Sequence, residues 1–190
     1  MSIQHPVPTA PSGRVLLLGG PPGSGKSTVA EATAAAAARP TVHLHADAFH
    51  VWIRSGFVPP YLPAAAHQNE VVGAVTIDAA RAYAAGGYDV IVDGIVGPWS
   101  LDPFRAACRR DGLDLSYAVL RPSLAVTLDR ATRRTGGQLT DPEPITGLYR
   151  AFQDLGRLER HVIDSSGQDV EETAAVLTAG LRAGRFVLGA

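Results

Sequence analysis

The sequence GGPPGSGKST occupies residues 19–28 and directly follows an apolar run at 15–18. Residues 20–27 fit the pattern G-x-x-x-x-G-K-[ST] at every fixed position, with a strand pattern before it and an alanine-rich helix pattern after it. Glycines let backbone N–H groups approach phosphate oxygens, and the positive N-terminal end of the helix offsets their charge. The stretch therefore predicts a loop that binds a nucleoside triphosphate; the alternative is a glycine-rich turn that only packs.

The polar side chains of this loop predict how nucleotide and metal are held. Lys26 is expected to reach the β- and γ-phosphates, and the Ser27 hydroxyl is expected to ligate Mg²⁺. ATP and Mg²⁺ are therefore the expected cofactors. The predicted nucleotide-binding residues of the loop are Gly20, Pro21, Pro22, Gly23, Ser24, Gly25, Lys26, Ser27 and Thr28.

Length and charge limit the classes of protein that this chain can belong to. Its 190 residues fit one domain, and we expect a flexible leader over 1–13 followed by a single domain over 14–190. The 17 Lys and Arg residues against 18 Asp and Glu give a net charge of −1, which disfavours a nucleic-acid partner. One cysteine, no secretory signal and no long apolar run predict a cytoplasmic protein with no membrane partner; the oligomeric state stays open.

Short apolar runs alternate with longer helical patterns along the chain, which predicts a parallel sheet with helices on both faces. Each predicted strand is nearly continuous in apolar residues, as expected when both faces of a sheet are covered. The predicted strands are 14–18, 42–45, 89–93, 115–120 and 161–164, and the predicted helices are 26–38, 67–85, 101–111, 123–134, 145–159 and 170–183.

Two aspartates are predicted at the carboxyl ends of strands, where ligands meet an open parallel sheet. Asp93 ends the third predicted strand, so it is expected to hold Mg²⁺ through water or to serve as a turn residue before Gly94. Asp47 follows the second predicted strand. It is expected to take the proton of an attacking hydroxyl, to cap a helix that starts at Ala48, or to do both.

The segment 47–70 is expected to bind the acceptor of a transferred group. It concentrates aromatic side chains with few charges, which is typical of a small-molecule pocket, although core packing would explain about half of these aromatics equally well. The absence of basic clustering favours a neutral or partly apolar hydroxyl compound. The expected acceptor-binding residues are Asp47, His50, Trp52, Arg54, Asp93 and Trp99.

Five stretches carry a resemblance to a known family: GGPPGSGKST, the aspartate of HADAFH, VIVDG, LDRATRR and HVIDSSG, in this order along nearly the whole chain. On these, the chain resembles the small P-loop kinases of the nucleoside-monophosphate-kinase-like group and the AAA_33-type ATP-binding proteins. Chloramphenicol phosphotransferase, gluconate kinase and shikimate kinase are the kinases that it resembles. The resemblance implies an α/β P-loop NTPase fold with a five-stranded parallel sheet of order 2-3-1-4-5, helices on both faces and an arginine-bearing lid at about 130–145.

The same resemblance implies roles for single residues. Asp47 becomes the catalytic base, Arg130 a nucleotide-binding residue of the lid, and Gly167 part of the loop that binds adenine. Lid arginines Arg133 and Arg134 are expected to act beside Lys26 in catalysis. The arginines are also spaced as a solvated helix face would be, and the residues around Gly167 also suit an ordinary helix cap.

These expectations together predict an enzyme that transfers the γ-phosphoryl group of ATP to a hydroxyl of a small molecule. Two alternatives stay open on the sequence. A partner-regulated ATPase module would share the phosphate loop, which also resembles that of the AAA ATPases, and a polynucleotide or nucleoside kinase would share the catalytic residues.

Overall fold

The computed structural model describes residues 12–133 and 139–188. Its strands are β1 (Val15–Gly19), β2 (Thr41–His45), β3 (Asp89–Asp93), β4 (Leu115–Leu120) and β5 (Val162–Ile163). They form one all-parallel sheet in the order β2-β3-β1-β4-β5, which confirms the predicted fold class and strand order.

Helices connect the strands and cover both faces of the sheet. They are α1 (Lys26–Ala35), α2 (Ala46–Val51), α3 (Ala66–Ala85), α4 (Leu101–Asp111), α5 (Leu124–Thr132), α6 (Pro142–Ala151) and α7 (Val170–Arg182). Three short 3₁₀ turns, Pro63–Ala65, Pro98–Ser100 and Gly156–His161, lie between them. Among the described residues, no helix has the length and apolar character needed to cross a membrane.

The central strand β1 shows how the sheet builds two hydrophobic cores. Its residues point alternately to opposite faces. Leu17 belongs to the core that also contains Phe104 of α4, whereas Leu18 belongs to the core that also contains Leu177 of α7. The edge strand β2 is different, because its residues are only partly buried or exposed. Helices therefore cover β2 less completely than they cover the central strands.

Two expectations about helices are wrong. The helix expected over 145–159 begins earlier, at Pro142, and ends at Ala151. The chain then reaches Gly156, whose φ of 55° is left-handed, and forms a 3₁₀ turn over Gly156–His161. The helix after the second strand begins at Ala46 and not at Ala48, so Asp47 lies in its first turn and is not its cap.

The strand order places three strand ends beside one another. In the parallel register, Leu18 of β1 and His45 of β2 both lie next to Asp93 of β3. The phosphate loop leaves the sheet after β1, and α2 leaves it after β2. The carboxyl edge of the sheet therefore brings the loop, Asp93 and the start of α2 together, as is general for ligand sites of open parallel sheets.

Candidate active site

The phosphate loop connects β1 to α1 through backbone conformations that only glycine adopts easily. Gly23 and Gly25 have φ values of 86° and 88°, and Gly25 is the residue before the first turn of α1. The Lys26 side chain is buried, and its Nζ donates to the carbonyl oxygen of Pro21 at 2.9 Å and to the Ser24 hydroxyl at 3.4 Å. The phosphate loop therefore encloses the ammonium group of Lys26 through contacts with its own residues, beside the N-terminus of α1.

Ser27 connects the loop to the buried carboxylate at the end of β3. Its hydroxyl donates to Oδ2 of Asp93 at 2.6 Å, and Asp93 is 0% exposed. A hydroxyl that donates its hydrogen keeps its oxygen lone pairs for another partner. The predicted metal residues, Ser27 and Asp93, are therefore in direct contact.

Two histidines of β2 bind the other oxygen of the same carboxylate. Nε2 of His43 lies 2.7 Å from Oδ1 of Asp93, and Nδ1 of His45 lies 3.0 Å from it. Burial by itself would raise the pKa of Asp93, but the hydrogen bonds from His43, His45 and Ser27 outweigh burial and hold the pKa well below its ordinary value. The bond to Asp93 in turn raises the pKa of His45, against the opposing effect of its partial burial.

These histidines are functional candidates that the expected site residues do not include. Residues two apart on a strand share a face, so the spacing of His43 and His45 already placed them together. Their shared partner depends on β2 and β3 being neighbours in the sheet. The adjacency of β2 and β3, together with the two-residue spacing of His43 and His45, could therefore have identified both histidines as partners of Asp93.

Asp47 and His50 lie on α2, three residues apart and so on one side of the helix. Asp47 is exposed in the first turn. The amide nitrogen of Asn69 donates to the carbonyl of Pro60, which leaves its oxygen to face Nε2 of His50 at 3.2 Å. Nε2 of His50 therefore donates to this oxygen, and its buried Nδ1 has no hydrogen-bond partner among the described residues.

The aromatic residues expected to bind the acceptor lie in two separate parts of the structure, near α2 and near Phe152. Trp52 is 66% exposed and contacts Phe49 edge to face, at 5.1 Å between ring centroids. Both border an apolar pocket of about 420 Å³ between α2 and α3, on the other side of α2 from Asp47. Trp99, 57% exposed, lies against Gly97 and Phe152, and Arg54 is exposed in the loop after α2.

The two lid arginines among the described residues, Arg130 and Arg133, have different partners. Arg130 donates to the carbonyl oxygen of Ser165 at 3.3 Å, which ties α5 to the loop after β5 that contains Gly167. Arg133 pairs with Asp129 one turn earlier on α5. Arg134 lies outside the described residues, as does the part of the expected lid between 134 and 138.

The residues at this sheet edge fit Mg²⁺ better than a transition metal. In residues 12–133 and 139–188, no group of three or more His, Cys, Asp or Glu side chains has the arrangement of a metal site. A single hydroxyl ligand backed by a carboxylate suits Mg²⁺, which takes its remaining ligands from water and phosphate oxygens.

Comparison with protein families places the chain in a known family. A family model described as an AAA domain matches residues 15–146 of the chain. No curated protein matches the chain in sequence.

Solved structures similar to this chain include three kinds of protein. A gluconokinase from Sinorhizobium meliloti 1021 is 24% identical, with 92% of this chain and 94% of that chain covered and a TM-score of 0.65. The tunicamycin resistance protein of Deinococcus radiodurans is 17% identical, with 94% and 99% covered and a TM-score of 0.62. An APS kinase of Mycobacterium tuberculosis in complex with AMPPNP and APS is 16% identical, with 90% and 99% covered and a TM-score of 0.64. At these identities the likeness establishes the P-loop kinase fold.

Proposed function

This chain belongs to the AAA domain family matched over residues 15–146, and on that premise we propose that it is an ATP-dependent phosphotransferase. It transfers the γ-phosphoryl group of ATP to a hydroxyl of a small molecule. The observation that carries the proposal is the sheet edge at which the phosphate loop, the Ser27–Asp93 pair and the exposed Asp47 come together.

The phosphate loop supplies the donor side of this reaction. Backbone N–H groups of the loop and the N-terminus of α1 bind the phosphates. Lys26, which rests on the carbonyl of Pro21, moves to the β- and γ-phosphates when nucleotide enters. A charged group placed where negative charge develops lowers the barrier to transfer.

Ser27 and Asp93 would hold Mg²⁺ beside those phosphates. The free lone pairs of the Ser27 oxygen make it the direct ligand, and Asp93 fixes that hydroxyl by accepting its hydrogen. When bound, Mg²⁺ supplies charge neutralisation on the phosphate oxygens.

Asp47 is the group that binds the acceptor hydroxyl and removes its proton. It is exposed in the first turn of α2, and its charge acts on the neighbouring His45 at the end of β2. A carboxylate at the carboxyl edge of a parallel sheet lies where the ligands of such sheets bind. His50, one turn further along α2, contributes an imidazole nitrogen that has no partner among the described residues, and we assign it to a second polar group of the acceptor.

The acceptor is proposed to be a neutral or partly apolar hydroxyl compound. Trp99 and the loop that it covers border the sheet edge, and Phe57 exposes further aromatic surface in the segment 47–70, whereas Trp52 lies on the other side of α2 from Asp47 and is not assigned to the acceptor. Apolar walls with a few polar groups are typical of small-molecule sites. Arg130 and Gly167 are assigned to the adenine side, and Arg133 and Arg134 to the γ-phosphoryl group.

A screen for acceptor-dependent release of ADP tests the proposal. Antibiotics, sugars, nucleosides and a 5′-hydroxyl oligonucleotide are each incubated with the chain and ATP, with Lys26→Ala as the blank. We expect one class of small hydroxyl compound to give ADP together with a phosphorylated product. ADP release that no hydroxyl compound accelerates would instead indicate an ATPase module, and phosphorylation of the oligonucleotide alone would indicate a polynucleotide kinase.

With the acceptor identified, the base assignment is tested by Asp47→Asn. We expect kcat to fall by about 10²- to 10⁴-fold, the usual contribution of a positioned general base, while AMPPNP affinity stays unchanged. Asp102→Asn is the matched control, because that carboxylate is 92% exposed on α4. Full activity in Asp47→Asn would show that another group takes the proton.

A further inference from the structure

Three donors converge on the carboxylate of Asp93, which is more than the binding of one serine hydroxyl requires. Ser27 occupies Oδ2, while His43 and His45 both occupy Oδ1. The side chains of these histidines are 22% and 47% exposed, whereas that of Asp93 is 1% exposed. The two imidazoles therefore lie between a buried negative charge and the open edge of the sheet.

The hydrogen bonds fix which atom carries each proton. An ionised carboxylate only accepts, so His43 donates from Nε2 and His45 donates from Nδ1. With Oδ1 occupied by two donors, Asp93 presents Oδ2 to the Ser27 hydroxyl, which must then donate its hydrogen there. The oxygen lone pairs of Ser27 are consequently directed away from Asp93.

We propose that His43 and His45 are positioning residues for the Mg²⁺ site: they orient Asp93, and through Asp93 they turn the Ser27 oxygen toward the metal. The inference rests on the proposed function, because it assigns these histidines to the metal site of the same reaction. Neither histidine is a metal ligand in this role, because each acts through its hydrogen bond to Asp93. Groups that orient a metal ligand without binding the metal commonly change metal affinity by 10- to 100-fold.

His45 also connects the metal site to the acceptor side. It is the last residue of β2, the residue before the first turn of α2, and a donor to Asp93. The residue that fixes the carboxylate is thus two positions from Asp47.

Metal titration of the full chain saturated with AMPPNP tests the inference without an acceptor. Mg²⁺ affinity is measured by calorimetry, and AMPPNP affinity is measured separately with EDTA present. We expect His45→Ala and His43→Leu to weaken Mg²⁺ binding by about 10- to 100-fold, with AMPPNP affinity in EDTA unchanged. Since the His45 side chain is half exposed, His45→Ala decides the question even if His43→Leu does not fold.

Conservative variants and a control separate positioning from a general effect on the fold. His45→Asn and His43→Gln place an amide N–H near the position of the lost imidazole N–H, and we expect them to recover most of the metal affinity. Thr41→Val is the matched control. It changes the same face of β2 at the opposite end of the strand, where the Thr41 hydroxyl donates to the carbonyl of Arg39, and Mg²⁺ affinity should not change.

Two results overturn the inference in distinguishable ways. If the unsubstituted chain binds Mg²⁺ with AMPPNP and His45→Ala binds it equally well, the histidines do not position the metal ligand, and the proposed function stands. If the unsubstituted chain binds neither AMPPNP nor Mg²⁺, the proposed function fails, and the inference fails with it.

Discussion

Gly23 occupies a point in the phosphate loop that has no room for a side chain. A Cβ at this position would lie 2.3 Å from the carbonyl oxygen of Thr127 in α5. A backbone carbonyl cannot move aside as the end of a flexible side chain can, so the loop itself would have to shift. Gly73 of α3 is the opposite case, because a Cβ there meets nothing within 4 Å and its φ is not positive.

Gly23→Ala is expected to lower the free energy of unfolding by about 2 kcal/mol or more, because left-handed strain and a backbone clash add together. The same change at Gly73 should raise it by about 0.5–1 kcal/mol, since alanine favours the helix. Urea unfolding of the two variants measures both values. Equal stability of the two variants would contradict the close approach of the loop to α5.

At the residue scale, the sequence predicts the loop better than it predicts the surroundings of Asp93. Lys26 and Ser27 are recognisable because a fixed spacing within eight residues specifies their chemistry. The contacts of His43 and His45 with Asp93 join residues about fifty positions apart, and they form only because β2 lies beside β3. No local pattern contains that information.

Helix α7 begins with a reciprocal pair of hydrogen bonds between Asp169 and Glu172. The Asp169 carboxylate accepts from the N–H of Glu172 at 2.8 Å, and the Glu172 carboxylate accepts from the N–H of Asp169 at 3.0 Å. This capping box satisfies two backbone donors at the exposed start of the helix. It also fixes the end of the loop that contains Gly167, and α7 buries Leu177 against the sheet.

Asp169→Ala is expected to lower the free energy of unfolding by about 1 kcal/mol, the usual cost of losing an N-cap side chain. Asp169→Asn keeps an oxygen acceptor and should lose much less. Glu171→Ala is the matched control in the same exposed first turn and should cost less than about 0.5 kcal/mol. Thermal unfolding of the three variants gives the comparison, and an unchanged melting temperature in Asp169→Ala would contradict a stabilising cap.

At the element scale, sequence patterns found long helices and missed short or interrupted ones. The helix α4 is predicted at its observed bounds. With six residues, α2 is too short to show a helical period, and only its position after β2 reveals it. The apolar pattern across 145–159 continues past the end of α6 at Ala151, into a segment where Asp154 accepts the N–H of Gly156 and a 3₁₀ turn follows.

For the whole molecule, the alternation of strands and helices was enough to predict a parallel sheet, but not its strand order. That order came with the resemblance to P-loop kinases, because alternation is the same for every doubly wound topology. The order decides the site: with β3 between β2 and β1, Asp93 meets both the loop and the histidines. Acceptor identity depends on the shape of the surface around α2, which no pattern of residue types fixes.

His161 contacts Tyr117 of β4, the neighbouring Arg160 and Phe186 in the segment after α7. It is 0% exposed, its Nδ1 donates to the carbonyl oxygen of Tyr117 at 2.7 Å, and its Nε2 accepts from Arg160 at 3.2 Å. Its ring also lies 6.3 Å from that of Phe186. Burial lowers the pKa of His161; the bond to Tyr117 opposes this shift, and the charges of Arg160, Arg185 and Arg105 add to it.

The lowered pKa of His161 predicts how the stability of the whole chain depends on pH. Because the unfolded chain takes up a proton near the ordinary histidine value while the folded chain resists it, this residue contributes stability above that pH and loses it below. Between about pH 7.5 and about pH 5.5 the loss is at most about 1.4 kcal/mol for one proton. His45, with its raised pKa, contributes in the opposite direction. We therefore expect the difference in unfolding free energy between the unsubstituted chain and His161→Asn to shrink as the pH falls. Urea unfolding of both proteins at the two pH values measures it, and a difference that stays constant or grows in acid would show that His161 is protonated in the fold.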